Sequence, residues 1–194
     1  MTEKQNFWHP NKLKYLPFQK EGIAFLEKRK GRAIIGDEPG LGKTIQVLGY
    51  IANNPDIKKV LVVCPATLKY NWYNETRKWL PANANTVAVL ESKKVDLLYK
   101  ETRVHIINYD IVSAWKEVLV NHKFDLLVLD EAHYLKNPTA KRTKAIKFLS
   151  KKIKKIIPLT GTPAVNRPIE LYNAISLVAP TLFPSYFQYA HRYC

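Results

Sequence analysis

The chain has 194 residues, 46% apolar and 24% charged, enough for one sizeable domain with its own core. No apolar stretch is long enough to span a bilayer, "MTEKQNFWHP" has no signal-peptide core, and Cys64 and Cys194 supply neither a disulfide framework nor a zinc-ligand set, so an intracellular, reducing setting is the expectation. Lys and Arg total 31 against 16 acids, and the net charge of +15 suits a polyanionic partner or, equally, a lysine-rich solvated surface.

Residues 1–12 read as a polar lead-in, and residues 13–194 as one unit. In chain order, 17–29 has a helical pattern, "RAIIG" (32–36) reads as a strand, and 43–52 as a helix. "KVLVVC" (59–64) is a strand followed by a helix over 67–80; "TVAVL" (86–90) and "VHII" (104–107) are strands, with a helix over 110–120. "FDLLVLD" (124–130) and "KIIPLT" (155–160) are strands, with helices over 139–150 and 168–178. Several strands are apolar on both faces, as buried parallel strands are. The alternation predicts an α/β fold, a doubly wound, mostly parallel sheet with helices on both faces. Ligands of such sheets bind at the carboxyl ends of the strands.

"GDEPGLGKT" (36–44) stands between a strand and a helix. Gly40 and Gly42 let backbone wrap an anion, and the following helix start offers unpaired N–H groups and partial positive charge. Lys43 can reach the β and γ phosphates of ATP, and the Thr44 hydroxyl can ligate Mg²⁺. Asp37, Glu38 and Leu41 complete the candidate phosphate loop; Asp37 takes the place where the usual G-x-x-x-x-G-K-[ST] pattern has its first glycine. A glycine-rich turn that happens to carry Lys-Thr is the plainer alternative. "FDLLVLDEAH" (124–133) delivers Asp130 and Glu131 to the end of a buried strand. Asp130 suits a Mg²⁺-holding carboxylate, and Glu131 a group that orients or deprotonates the attacking water. Two solvated acids opening a loop are the alternative, and each motif makes the other more credible.

With these motifs placed, the chain resembles helicase superfamily two and, within it, the SWI/SNF-type DNA translocases. "LPFQKEGIAFL" (16–26) resembles the glutamine motif, "GDEPGLGKT" motif I, which there also has Asp for Gly, and "VLVVCPATLKYNW" (60–72) motif Ia. "VHIINYDIV" (104–112) is similar to motif Ib, "DEAHYLKN" (130–137) to motif II, and "LTGTPAVNRPIELYNAISLVAP" (159–180) to motif III with its following helix. "LPFQ" with "DEAHYLKNPTAKRTKA" is most similar to the annealing-helicase branch. The resemblance covers residues 13–194. It implies a RecA-like P-loop NTPase lobe that uses ATP and Mg²⁺ on double-stranded or forked DNA. It implies that Gln19 reads the adenine edge and that His133, Thr160 and Thr162 couple the nucleotide site to the DNA track. It places Pro65, Thr67, Asn108 and Tyr109 near the DNA backbone. Pro39 departs from the family, which usually has Met there, and removes one loop N–H.

Residues 136–155 hold nine basic residues and no acid. On the helix from Thr139, Lys144, Lys147 and Lys151 share a face opposite Ala145, Ile146 and Leu149. That face suits phosphate-backbone contact or is a solvated lysine face. Leu68, Trp72 and Trp79 fall at helical core spacing, which favours packing over base stacking. Motors of the resembled family carry two lobes, the second supplying arginines. No second-lobe arginine motif follows motif III here, so a second RecA-like lobe is expected in cis or in trans. A membrane partner has no lipidation signal to support it.

Overall fold

The computed structural model describes residues 6–82, 86–96, 98–161, 168–183 and 185–194. Three apolar runs form the middle of one sheet: β1 (Val60–Cys64), β3 (Val104–Asn108) and β4 (Leu126–Leu129), each buried along its whole length. Such runs need cover on both faces, because successive side chains point to opposite sides. β2 (Val87–Val89) and β5 (Lys155–Pro158) flank them in the order β2-β3-β1-β4-β5, every pair parallel. Val60 stands opposite both Val104 and Leu126, which aligns the strand ends where β1, β3 and β4 deliver their loops.

Three helices cover one face: α1 (Pro17–Lys28), α2 (Lys43–Asn53) and α3 (Lys69–Trp79). Ile23, Val47, Ile51 and Trp72 from these helices pack on Val60, Val62, Ile106 and Val128. The other face is covered by α4 (Val112–Asn121), α5 (Lys141–Ser150) and α6 (Tyr172–Val178). Trp115, Leu119, Ile146, Leu149 and Leu177 there meet Leu61, Val63, Ile107 and Leu129. Each fully buried aliphatic side chain contributes about 1.5–3 kcal/mol, so a slip of one residue in any central strand would exchange the two cores. Helices on both faces of a parallel sheet are the expected architecture.

Several features differ from the sequence reading. Residues 32–36 do not form a strand: only isolated bridges, Arg32 with Ile156 and Ile35 with Leu159, tie this segment beside β5. The main-chain bonds Ile156 N–H to Gly31 O and Ile35 N–H to Pro158 O are made at 2.9 and 3.0 Å. The rung between them would have to come from the nitrogen of Pro158, which carries no hydrogen. The helix expected over 67–80 opens as a 3₁₀ turn, Ala66–Leu68, before α3, and that expected over 168–178 opens as another, Pro168–Leu171. An unexpected helix, α7 (Tyr186–Tyr193), follows Ser185, whose hydroxyl accepts from the Gln188 N–H at 3.2 Å. The Ser-x-x-Gln spacing was its sequence signal. The end of the lead-in packs on the body: Phe7 is buried in the first core, and the Trp8 N–H donates to Asn53 Oδ1 at 2.8 Å. Among the described residues no helix is long and apolar enough to cross a membrane.

Candidate nucleotide site at the carboxyl ends of the strands

The Gly36–Thr44 loop ends in a helix start with no side-chain cap and no acid in its first turn. The first N–H groups of α2 are therefore open to an anion. Gly42, at the N-cap, has φ 73° and ψ 39°, and Gly40 has φ 85°, both in the region that favours glycine. A Cβ on Gly42 would also stand 2.5 Å from Gln19 Nε2. Gln19, buried on α1, thus lies directly on the loop, while its Oε1 accepts from the Leu16 N–H at 3.0 Å.

Lys43 is 9% exposed, and its Nζ donates to the carbonyls of Asp37 at 2.8 Å and Glu38 at 3.0 Å. The ammonium is folded under its own loop and can trade those carbonyls for phosphate oxygens. The Asp37 carboxylate accepts from Gln46 Nε2 at 2.6 Å, so the residue that replaces the usual glycine anchors the loop to α2. Glu38 and Leu41 are exposed and Thr44 is half-buried at the helix start. Pro39 packs on Gly161, where a Cβ would come within 2.9 Å of the proline Cγ and 3.5 Å of Lys43 Nζ. A cavity of about 320 Å³ opens beside the loop, lined by Phe18, Phe25, Ile34, Asp37, Leu41 and Gln46.

The acidic loop is held differently. Asp130 is 7% exposed; its Oδ2 accepts from Trp72 Nε1 at 2.8 Å and its Oδ1 from the Glu131 N–H at 3.0 Å. Burial pushes its pKa above the ordinary carboxylate value; the Trp72 hydrogen bond and, less strongly, the Lys43 charge oppose that push. The Lys43 charge thus reaches Asp130, though more weakly than burial or the Trp72 bond. The Tyr109 hydroxyl donates to the Asp130 carbonyl at 2.8 Å, and burial drives its own pKa well up. Glu131 adopts the left-handed region, φ 51° and ψ 56°, an uncommon conformation for a residue with a side chain. Its Oε2 lies 3.2 Å from His133 Nδ1, close but not aligned as a hydrogen bond.

The end of β5 lies between the two loops. The Ala132 N–H donates to Leu159 O at 2.8 Å, and the Thr160 N–H to Ile35 O at 3.1 Å. Thr160, buried, therefore touches the segment that launches the phosphate loop and follows the residue that holds the acidic loop. Thr162 lies outside the described residues.

The residues assigned to nucleic acid fall in more than one place. Pro65 is half-buried and Thr67 exposed, on the turn that follows β1. Asn108 and Tyr109, expected near a DNA backbone, are both buried. Tyr109 is 1% exposed and stacks on Tyr134 at 5.1 Å, and the Asn108 amide donates to Asp110 Oδ2 at 3.3 Å. Both stand at the end of β3, Asn108 beside the exposed Asp110 and Tyr109 at the floor of a cleft. The lysines of α5 separate along the helix. Lys144 borders a cleft of about 980 Å³ with Tyr109, Lys93, Lys116, Lys141 and Arg142, near the end of β3. Lys147 and Lys151 border another depression, with Arg32 and Lys154, at the opposite ends of the strands. Burial of the half-exposed Lys147 lowers its pKa. Trp72 packs in the core as its spacing predicts, but its bond to Asp130 had no signal in periodicity.

The SNF2-related domain family matches residues 18–193. The chain is 36% identical to the bovine (Bos taurus) DNA annealing helicase and endonuclease ZRANB3, over 98% of this chain and 18% of that protein. It is also 36% identical to the Xenopus laevis SWI/SNF-related matrix-associated actin-dependent regulator of chromatin subfamily A-like protein 1, over 92% of this chain and 18% of that one. The Sulfolobus solfataricus SWI2/SNF2 ATPase core in complex with dsDNA superposes with a TM-score of 0.81 at 28% identity, over 93% of this chain and 39% of that one. The chain thus spans under a fifth of these two curated relatives' length. A parallel sheet with this phosphate loop and acidic loop at its carboxyl edge, matched along nearly its whole length, belongs to the SNF2-related family of helicase-like ATPase domains.

Proposed function

We propose that this chain is the ATP-binding lobe of an ATP-dependent double-stranded-DNA translocase or remodeller, hydrolysing ATP to ADP and phosphate when completed by a second RecA-like lobe. The observation that carries this reading is the convergence of a buried lysine under a glycine-rich helix start with a buried, doubly hydrogen-bonded carboxylate across the end of β5. DNA as the partner is supported by the family and by the Sulfolobus relative, an ATPase core in complex with dsDNA.

Lys43 binds the β and γ phosphates, and the open N–H groups of α2 take the remaining charge. Gln19, on the loop at Gly42, faces the base. The donor set fits Mg²⁺. The Thr44 hydroxyl and Asp130 offer hard oxygen ligands, and each Asp130 oxygen keeps a lone pair beyond its hydrogen bond. Among the described residues no three His, Cys, Asp or Glu side chains form a cage, which suits an ion that keeps its waters and shares phosphate oxygens. Mg²⁺ there supplies positive charge against the charge that develops on the transferred phosphoryl group. Glu131 orients and accepts a proton from the water that attacks the γ-phosphate in line. His133, 3.2 Å from Glu131, and Thr160, between the loops, carry nucleotide state toward the DNA-facing segment with Pro65 and Thr67, as does Thr162.

The test is ATP hydrolysis by the chain alone and joined to a second lobe, without nucleic acid and with duplex DNA, single-stranded DNA or RNA, with Lys43→Ala as control. Stimulation by duplex DNA that Lys43→Ala abolishes supports the proposal. Stimulation by RNA alone points to an RNA-remodelling motor of the same superfamily. Nucleotide binding without turnover under every condition makes the chain a binding module.

A further inference from the structure

We infer that Trp72 is a positioning residue for the Mg²⁺ site: its indole N–H holds the Asp130 carboxylate in the orientation that receives the ion. The inference rests on the proposed role of Asp130.

Trp72 is fully buried, and its place among Ile23, Val47 and Val62 would be filled as well by any large apolar ring. Packing alone leaves the indole nitrogen unexplained, because a buried N–H costs free energy unless it finds an acceptor. The acceptor it finds is the carboxylate the proposed mechanism depends on, at 2.8 Å, across a sequence separation of 58 residues. The other oxygen of that carboxylate is held by the next residue's N–H at 3.0 Å. Two donors, one per oxygen, fix both the torsion and the plane of the group. A carboxylate so buried has no bulk water to orient it, so its direction is set by these two bonds. Groups that orient a metal ligand from behind usually change metal affinity about 10–100-fold when removed.

The same helix supplies its own control. Trp79 is also buried on α3, and its indole N–H also donates to a carboxylate, Glu75 Oε2, at 2.8 Å. That acceptor belongs to α3 itself and has no part in the nucleotide site. Phe in place of either tryptophan keeps a ring and removes one charge-assisted hydrogen bond, to the buried Asp130 in one case and to the partly exposed Glu75 in the other.

ADP affinity of the chain is measured by calorimetry with Mg²⁺ and with EDTA, for the wild type, Trp72→Phe and Trp79→Phe. The expected result is a Mg²⁺-dependent gain in affinity in the wild type, cut about tenfold in Trp72→Phe and unchanged in Trp79→Phe. Affinity in EDTA should stay within about twofold in all three, since Lys43 and the loop are untouched. A wild-type gain that Trp72→Phe keeps in full, or that Trp79→Phe loses equally, overturns the inference alone. A wild type with no Mg²⁺-dependent gain overturns the metal-site reading and the inference with it. Should Trp72→Phe not fold, the wild-type indole ¹⁵N–¹H resonances decide. On adding Mg²⁺ to the ADP complex the Trp72 signal should move more than those of Trp79 and Trp115, and a Trp72 signal that stays still refutes the proposal.

Discussion

The phosphate loop and the acidic loop face each other across β5, yet they are built on opposite principles. The first springs from a segment held to the sheet by isolated bridges, uses two left-handed glycines, and leaves Gly36 and Glu38–Leu41 exposed. The second hangs on a fully buried strand and is clamped by a tryptophan, a tyrosine and a main-chain bond from β5. A polyphosphate has to be admitted and wrapped, which asks for backbone N–H groups that can close around it. A carboxylate that aims an ion must already point the right way, which asks for fixed donors in a dry setting. Under the proposed function, charge capture in this lobe falls to adaptable backbone and ion placement to rigid packing.

The comparison breaks most completely if the two loops do not act as one site. Lys43→Ala and Asp130→Asn should each lower DNA-stimulated ATP turnover of a completed motor by at least ~10²-fold, read by phosphate release; near-normal turnover in either would separate the loops. The loop's mounting is tested next. A Cβ on Gly22 would land inside the Gln46 side-chain amide, the group that anchors Asp37. Gly22→Ala should cost roughly 1–3 kcal/mol of stability and weaken nucleotide binding, whereas Gly40→Ala, with nothing within 4 Å, should show only backbone strain; equal melting temperatures for Gly22→Ala and wild type would refute the anchor.

A buried histidine pair tests the rigid side. His105 is fully buried on β3 against His122, and burial, then the charges of His122 and Lys59, pushes its pKa down to about 4. The unfolded chain, with a histidine near its ordinary value of 6.5, binds the extra proton first as pH falls. Its contribution is intact above that value and is lost as pH falls through the window toward 4, about 2 kcal/mol by pH 5. His105→Leu should flatten that part of a melting-temperature profile; an unchanged slope would assign the acid sensitivity elsewhere. The smallest effect belongs to Tyr109→Phe, which removes the hydrogen bond to the Asp130 carbonyl and should cost about 1 kcal/mol by denaturant titration. A change in the salt dependence of DNA binding in the same variant would instead place Tyr109 at the DNA surface.

Much of this was legible before any coordinates. Apolar runs such as Leu126–Leu129 need two covered faces, so their pattern alone calls for a parallel sheet between helices. Gly42-Lys43-Thr44 and Asp130-Glu131 carry their chemistry in local order, because a helix start and a strand end are local structures. The burial of Asn108 and Tyr109 was not legible, since motif resemblance marks a position without saying which way its side chain faces. The failed strand at 32–36 hinged on one missing hydrogen on Pro158, a residue far away in sequence.

The α/β class, the helical layers on both faces of a parallel sheet and the residues proposed to hold phosphate and Mg²⁺ were all readable from the sequence, because each follows from patterns that a short stretch of chain contains. Only the tertiary structure decided that Asp37 binds Gln46, that Gln19 rests on Gly42, that Trp72 holds Asp130, and that Lys144 and Lys151 lie toward opposite ends of the sheet. The physical reason is common to all four. A hydrogen bond or a shared cleft depends on distance in space, and packing two helical layers on one sheet brings together residues whose separation along the chain carries no trace of it.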